Sequence, residues 1–403
     1  MSKVTLSFAR EQTVLELEPD VVQIVGSPTL LAPLADTRAA TVAALEEPLD
    51  FPPLYRALTP DDHIALVVAE DLAELPAILA GVLEQLERAG VQRSAVTLVV
   101  PPRQIDAETV WHRKADHLGP LHLEVHDPRD DRKLAYLANT KAGRRVYLNR
   151  TVVDADQVVV VGRAAFDPVF GFTGGVAELF PGLSDQPTRQ AFLARPSLSQ
   201  TGQVHGLAET EAEEVGWLLG MPFFIQGVET TDDRLSMVAA GGAAAVRAHT
   251  SAALLRTVLH RATSADLVIA TLTGDPERQT LTQVAAALET AGRIVRPGGR
   301  IVVLSRARAA LSAGFELLRQ AERPELALRQ ARQQGMVDAV SLWQWITALQ
   351  HAKVALLSDL ANETAEELFV TPLERPEQLG RLAASAQSVL IIPDAHRRLV
   401  HLA

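Results

Sequence analysis

The chain has 403 residues, which predicts two or three domains. Its 38 Lys and Arg against 49 Asp and Glu give a net charge of −11, which argues against broad nucleic-acid binding because that needs a cationic surface. The absence of cysteine excludes disulfides, zinc–thiolate sites, iron–sulfur clusters and thiol nucleophiles. A charged N-terminus and the lack of any apolar run near about 20 residues predict a cytoplasmic protein with no membrane contact.

The first hundred residues alternate between strand and helix patterns. Apolar and polar residues alternate over Val4–Phe8 and Thr13–Leu17, which predicts a β-hairpin. An apolar run at His63–Ala69 predicts a strand, and helical spacing over Leu75–Ala89 predicts the helix that follows it. A second strand is expected at Ala95–Val100, so these segments form a βαβ unit.

The remainder of the chain repeats this rhythm. The run Val158–Val161 predicts a strand buried on both faces, hence parallel and central. We therefore predict an α/β fold with an N-terminal β-hairpin and two α/β domains, residues 1–262 and 263–403, whose mainly parallel sheets border an interdomain cleft. The elements expected in the second domain are strands at Leu267–Leu272, Ile301–Leu304, Val354–Leu357 and Val389–Ile392 and a helix at Glu277–Val295.

A glycine-rich segment follows the valine strand. Gly171, Gly174 and Gly175 are placed to open a helix whose free N–H groups suit an anion, and a purely structural turn is the alternative interpretation. The segment contains neither a GxGxxG nor a Walker A pattern, so it is not a standard dinucleotide or ATP loop.

The sequence GFTGGVAELFPG at residues 171–182 resembles a motif of the LarA-like family, the nickel-pincer-nucleotide-dependent racemases of lactate and other 2-hydroxyacids. The resemblance implies two α/β domains with an active site between them. It also implies a lysine that holds the cofactor, a histidine that ligates nickel, two acid/base histidines and cationic side chains that bind the substrate carboxylate. Weaker matches occur in the family's order at Pro52-Pro53-Leu54, His126-Asp127, Leu148-Asn149-Arg150, Ala155-Asp156 and Val295–Val303.

This sequence departs from the family pattern at the positions that carry its chemistry. Ala177 stands where the resemblance places the lysine, and alanine has no amine with which to attach the cofactor. The cofactor of this chain is therefore unknown. The other replacements are Asp167 and Arg103 for the two acid/base histidines, Phe192 or Leu193 for the nickel histidine, Glu70–Glu74 for the arginine-bearing loop and Ala286 for a second-domain lysine.

These departures favour a LarA-like protein without nickel-dependent racemase activity that binds a small anionic molecule or a nucleotide. An enzyme acting on 2-hydroxyacids through a rebuilt site is one alternative, and a non-catalytic interaction protein is another. The oligomeric state stays open. The expected ligand-binding residues are Gly171, Thr173, Gly174, Gly175, His126 and Gln283, and the catalytic candidates for a rebuilt site are Asp167, Arg103, Glu70 and Glu178.

Two further patterns have competing interpretations. His122, Glu124 and His126 alternate along a predicted strand and share one face, so they are candidate metal ligands, although a half-buried polar strand face explains them as well. The segment Val295–Arg300 resembles a late segment of Rossmann-type methyltransferases. The glycine-rich loop that should accompany it is missing, which favours a simple helix stop before a strand.

Overall fold

The computed structural model describes residues 2–25, 31–68, 72–101, 119, 121–167, 171–194, 207–308, 311–336 and 338–403. No helix among them combines the length and the apolar composition that a membrane crossing requires. Strands and helices alternate along the described chain, as expected for an α/β fold.

The described residues form nineteen strands. In chain order these are β1 (Ser2–Phe8), β2 (Glu11–Leu17), β3 (Val22–Ile24), β4 (Ile64–Val68), β5 (Val96–Val100), β6 (His122–Val125), β7 (Leu134–Asn139), β8 (Arg145–Asn149), β9 (Gln157–Asp167), β10 (Gly171–Thr173), β11 (Phe223–Glu229), β12 (Leu235–Gly241), β13 (Leu259–Ala262), β14 (Ala265–Thr271), β15 (Val295–Leu304), β16 (Lys353–Leu357), β17 (Thr371–Leu373), β18 (Val389–Ile392) and β19 (Leu399–Leu402).

Thirteen α-helices lie between these strands in the same described residues. They are α1 (Thr37–Glu46), α2 (Leu54–Ala57), α3 (Leu75–Arg88), α4 (Arg150–Asp154), α5 (Gln186–Ala194), α6 (Leu207–Leu218), α7 (Ala243–Val258), α8 (Leu281–Gly292), α9 (Ala313–Gln320), α10 (Pro324–Gln333), α11 (Ala339–His351), α12 (Asn362–Glu367) and α13 (Gln378–Ala384).

The first large sheet has the strand order β12-β11-β9-β4-β5-β6, and β10 pairs with the end of β9. The four strands β9, β4, β5 and β6 are mutually parallel, β11 is parallel to β9, and β12 is antiparallel at the edge. Alternate residues of β4 enter two cores: Leu66 packs in the cluster with α3, whereas Val67 packs in the cluster with Val152 of α4. Both faces are thus covered, which is the arrangement expected for a parallel sheet.

The second large sheet has the order β17-β16-β15-β14-β18-β3, and all of its pairings are parallel. Val268 on one face packs with apolar residues of α8 and α11, including the fully buried Trp345. Ile269 on the other face packs with Phe8 and Leu15 of the β1–β2 hairpin. The hairpin therefore takes the place that a helix layer occupies on the opposite face.

The N-terminal segment belongs structurally with the second sheet. The β1–β2 hairpin covers that sheet, and β3 extends it by pairing with β18. The sequence pattern suggests a division of the chain at residue 262, but the first 24 residues pack with the sheet formed by residues after that point. Sequence patterns cannot show this, because the pairing of β3 with β18 joins positions more than 360 residues apart.

One predicted helix has different limits from those expected. The pattern at 277–295 predicts a single helix, but residues 276–278 form a 3-10 turn and α8 covers only Leu281–Gly292. Thr280 caps α8 by accepting a hydrogen bond from the Gln283 backbone N–H, which fixes the later start. The Pro297-Gly298-Gly299 segment then lies within β15, where the pairing register with β14 shifts.

Candidate functional site

A cleft opens between the two large sheets, at the carboxyl ends of their parallel strands. Its walls come from β9, from the end of β11, from α7 and from the 3-10 turn Ala395–Arg397 that follows β18. Connections leave in opposite directions on either side of the β4/β9 pair and of the β14/β18 pair, and open α/β sheets bind ligands at such points. The cleft is open to solvent at its mouth, so a small molecule can reach the residues that line it.

Four arginines gather at this cleft. Arg163 of β9 lines it together with Arg397 and Arg398, which lie at the end of the 3-10 turn and just after it. Arg278 lines a smaller neighbouring depression, and Arg397 lines both spaces. We call these four residues, together with the carboxylate of Glu229 at the end of β11, the arginine cleft.

Glu229 is the anionic centre of the arginine cleft, and its side chain is only 3% exposed. Its Oε1 accepts hydrogen bonds from the Ala73 backbone N–H at 2.7 Å and from Arg278 Nη2 at 2.8 Å. Its Oε2 lies 3.4 Å from Arg397 Nη2 and 3.6 Å from Arg163 Nη1. Burial opposes ionisation of this carboxyl, but the three guanidinium groups outweigh burial and lower the pKa of Glu229 below its ordinary value.

Further contacts fix the orientation of the arginines. Arg278 Nη1 donates to Asp233 Oδ1 at 2.7 Å, and Arg397 Nη1 donates to the Thr230 carbonyl at 3.2 Å. Asp394 begins the 3-10 turn in a left-handed conformation, and its Oδ1 accepts from the Thr273 N–H at 3.0 Å. The turn that carries Arg397 is thereby tied to the end of β14.

His396 is buried beside the arginines and lines the smaller depression with Arg278 and Arg397. Burial lowers the pKa of His396 well below its ordinary value, and the positive charges of Arg397, Arg163 and Arg398 lower it further. The imidazole is therefore neutral at pH 7. Its buried Nδ1 has no hydrogen-bond partner.

The glycine-rich segment does not open an α-helix, so that prediction is wrong. Residues 171–173 form β10, and only a four-residue 3-10 turn, Gly175–Glu178, follows. A Cβ on Gly174 would lie 2.3 Å from the Arg163 carbonyl oxygen, and one on Gly175 would lie 3.1 Å from Gln226 Nε2. These glycines therefore permit close packing against the chain's own strands, which is the structural alternative.

This segment nevertheless contacts the arginine cleft indirectly. Thr173 and Phe172 of β10 pair with Ala165 and Phe166 of β9, and the two phenylalanine rings meet edge to face at 5.5 Å. Phe166 in turn lines the cleft. The segment thus supports one wall of the cleft.

His122, Glu124 and His126 do not come together as metal ligands. Glu124 accepts hydrogen bonds from Asn149 Nδ2 at 2.7 Å and Thr151 Oγ1 at 2.5 Å, while His126 Nε2 lies 3.0 Å from the Ser184 carbonyl oxygen. His122 is exposed. Over the part of the chain that the structure describes, no group of three or more His, Cys, Asp or Glu side chains is arranged to hold a metal ion.

The remaining candidates are dispersed. Gln283 lines the smaller depression, where its side-chain oxygen accepts from the Thr280 N–H at 3.0 Å. Asp167 ends β9, and its charge adds to the increase that burial causes in the pKa of Glu289 on α8. Glu178 lies in the 3-10 turn, outside the cleft lining formed by described residues. Arg103 and Glu70 lie outside the described residues.

Comparison with known proteins identifies the family. Residues 8–201 match the family model described as the lactate racemase N-terminal domain. This match, over slightly less than half of the chain, makes the protein LarA-like in its N-terminal half. Comparison with curated protein sequences finds no match for it.

Two solved structures share the fold of this LarA-like chain. The lactate racemase apoprotein from Thermoanaerobacterium thermosaccharolyticum matches with a TM-score of 0.81 and 16% sequence identity, over 99% of this chain and all of that one. A Thermotoga maritima protein solved by structural genomics matches with a TM-score of 0.67 and 11% identity, over 92% of this chain and all of that one. At these identities the likeness establishes the fold.

Position 177, where the resemblance places the cofactor lysine, is described by the structure. Ala177 is exposed in the 3-10 turn and presents a methyl group. Among the described residues, lysines lie on other elements: Lys3 in β1, Lys133 and Lys141 around β7, and Lys353 at the start of β16. The described part of the chain therefore offers no lysine in this turn.

The arginine cleft is the part of this LarA-like site that sequence reasoning missed. Arg163, Arg278 and Arg397 come from segments more than 100 residues apart, so no local motif contains them. A signal was present, because Arg163 comes directly after the buried apolar run of β9 and the pair Arg397 and Arg398 follows the buried strand β18. Charged residues just past the carboxyl ends of parallel strands are positioned for binding.

Proposed function

We propose that this LarA-like protein binds a small organic carboxylate in the arginine cleft and does so without a covalently attached nickel cofactor. The observation that carries the proposal is the convergence of Arg163, Arg278 and Arg397 on Glu229 at the carboxyl ends of both sheets. Guanidinium groups bind carboxylates through paired, charge-assisted hydrogen bonds.

The charge balance of the site supports an anionic ligand. Two of the three arginines around Glu229 also pair with Asp233, whose Oδ1 lies 2.7 Å from Arg278 Nη1 and 3.8 Å from Arg397 Nη2. These five groups have one positive charge in excess, and Arg398 with Asp394 adds none. A partly buried cationic cleft in a protein of net charge −11 concentrates small anions at this place.

The side chains at the family's cofactor position do not fit a tethered nickel-pincer nucleotide. Ala177 has no amine, and no metal-ligand cluster occurs within the described residues. The cleft's own residues bind and orient an anion, and the neutral His396 beside them has a nitrogen that can form a further hydrogen bond.

Isothermal titration calorimetry at low salt tests the proposal, with short-chain carboxylates, inorganic phosphate and nucleotides as separate probes. We expect carboxylates to bind, and Arg397→Gln to weaken their binding about 10- to 100-fold because a charge-assisted hydrogen bond is lost. The matched control is Arg38→Gln, which removes an exposed arginine paired with Glu84. Binding of a nucleotide without binding of any carboxylate would contradict the proposal. Failure of every probe to bind would contradict it as well.

The absence of a tethered cofactor is tested separately. Intact-mass spectrometry and metal analysis of protein purified from its native host should give the mass of the unmodified chain. A nickel-containing adduct on the 171–182 segment would overturn this part of the proposal without affecting anion binding.

An enzyme with a rebuilt site is a second candidate, and His396 favours it. A carboxylate on Arg397 would lie beside a neutral imidazole whose Nδ1 has no partner, so this nitrogen is positioned to accept a hydrogen bond or a proton from the ligand. The test incubates the protein with each of a panel of D-2-hydroxyacids in deuterated solvent. NMR then measures exchange of the C2 proton of the acid for deuterium. Exchange that His396→Asn abolishes would support this candidate, and no exchange on any acid would end it.

A further inference from the structure

The cleft wall opposite the arginines is apolar. Phe166 and Ala164 project from β9, Leu254 and Val258 from α7, and Leu31 lies at the partly exposed rim. The first four of these residues are buried and belong to one hydrophobic cluster, and Leu31 packs against that cluster. The arginine cleft thus has a cationic side and a side built as an extension of the protein core.

The neighbouring depression has the opposite character. Leu272 is the one apolar side chain among the described residues that line it. Its other lining residues are polar or charged, and His396 and Arg397 are among them. Because Arg397 borders both spaces, a carboxylate bound by Arg397 has polar groups on one side and the apolar wall on the other.

We propose that the ligand of the arginine cleft is a monocarboxylate with an apolar tail of several carbons, bound with its carboxylate on Arg397 and its tail against Phe166, Leu254 and Val258. This inference rests on the proposed function and specifies its ligand class. A polar tail would lose its hydrogen bonds to water against this wall without gaining others, which weakens binding. An apolar tail buried there strengthens binding.

A homologous series of probes tests the tail. Calorimetric titration with propanoate, butanoate, pentanoate and hexanoate should give affinities that rise about fourfold for each added methylene, which is the increase expected for burying one CH₂ group. The corresponding straight-chain alcohols are controls for the head group. They should bind at least tenfold more weakly than the acids of equal length, because they lack the charge that Arg397 recognises.

Variants distinguish this wall from non-specific binding. Leu31→Asn changes a partly exposed rim residue, so the fold should tolerate it, and it should reduce the affinity for hexanoate severalfold while leaving that for propanoate unchanged. Leu326→Asn alters an exposed leucine on α10 that does not line the cleft and should have no effect. Arg397→Gln should weaken all four acids alike.

The outcomes separate the inference from the proposed function. Affinity that does not change with chain length, while Arg397→Gln still weakens binding, overturns the apolar-tail proposal and leaves anion binding standing. Acids that fail to bind at any length overturn both. Alcohols that bind as tightly as the acids of equal length overturn carboxylate recognition and with it the proposed ligand class.

Discussion

Buried histidines make the stability of this protein depend on pH. Burial lowers the pKa of His126 to about 4 from 6.5, although its hydrogen bond to the Ser184 carbonyl opposes the shift. The unfolded chain therefore binds a proton below pH 6.5 that the folded chain does not bind until about pH 4. The free energy of unfolding is thus fully present above pH 6.5 and falls as the pH decreases through that window.

We expect His126→Gln to reduce this pH dependence. Between pH 7 and pH 5 the wild type should lose about 2 kcal/mol of unfolding free energy through His126, and the variant should lose that much less. Urea unfolding at both pH values measures the difference, and the same comparison at pH 8 gives the direct cost of the substitution. Equal losses in both proteins would show that His126 does not carry the effect.

Gly174 is expected to be structurally indispensable. It has a φ of +97°, and a Cβ would lie 2.3 Å from the backbone oxygen of Arg163, which cannot move without disturbing β9. Gly174→Ala should cost about 3 kcal/mol or more. Gly143→Ala is the matched control, because Gly143 also has a positive φ, +79°, but nothing lies within 4 Å of its Cβ position. It should cost only about 1–2 kcal/mol in urea unfolding.

The β1–β2 hairpin acts at the scale of a whole element. Phe8 is fully buried between the hairpin and the second sheet, and Arg306, beyond the end of β15, pairs with both Glu11 of the hairpin and Asp359. A two-stranded hairpin is marginal in isolation, so its stability comes from this packing. Conversely, the second sheet depends on the hairpin to cover Ile269 and its neighbours.

Phe8→Ala should therefore destabilise the second sheet selectively. A buried phenylalanine typically contributes about 3–5 kcal/mol, and amide hydrogen exchange should show loss of protection in β14, β15 and β18 with little change in β4 and β9. Val14→Ala on the same hairpin removes a side chain that is 56% exposed and should have almost no effect. Equal loss of protection in both sheets would contradict the assignment of the hairpin to the second unit.

Local sequence patterns predicted individual strands better than they predicted which strands pair with each other. The alternation in Val4–Phe8 and the run Val158–Val161 gave the hairpin and a central parallel strand, because side-chain periodicity is a local property of a strand. The pairing of β3 with β18 depends on contacts distant in sequence, so the pattern could not supply it. The segment Gly171–Gly175 does not start the α-helix that its glycines suggest. It forms β10 and a 3-10 turn packed against Arg163 and Gln226, and these distant contacts are not contained in the local pattern.

At the scale of the whole molecule, Glu229 joins the two units. It ends a strand of the first sheet, whereas Arg278 and Arg397 follow strands of the second. The sequence motif predicted a cleft between two α/β units, but these three residues became a site only when both sheets were assembled. A buried carboxylate among arginines contributes to stability mainly because losing it leaves its partners uncompensated.

Glu229→Gln should therefore weaken the fold and strengthen anion binding at the same time. Removing the buried charge should lower the free energy of unfolding by about 3 kcal/mol, because Arg163, Arg278 and Arg397 lose their shared counter-charge. For the same reason carboxylates should bind severalfold more tightly to the variant in calorimetry below its melting temperature. Glu84→Gln, which removes an exposed partner of Arg38, should cost less than about 1 kcal/mol and leave affinity unchanged. Weaker binding by Glu229→Gln would instead indicate that the carboxylate holds the arginines in their binding geometry, and that orientation outweighs net charge in this cleft.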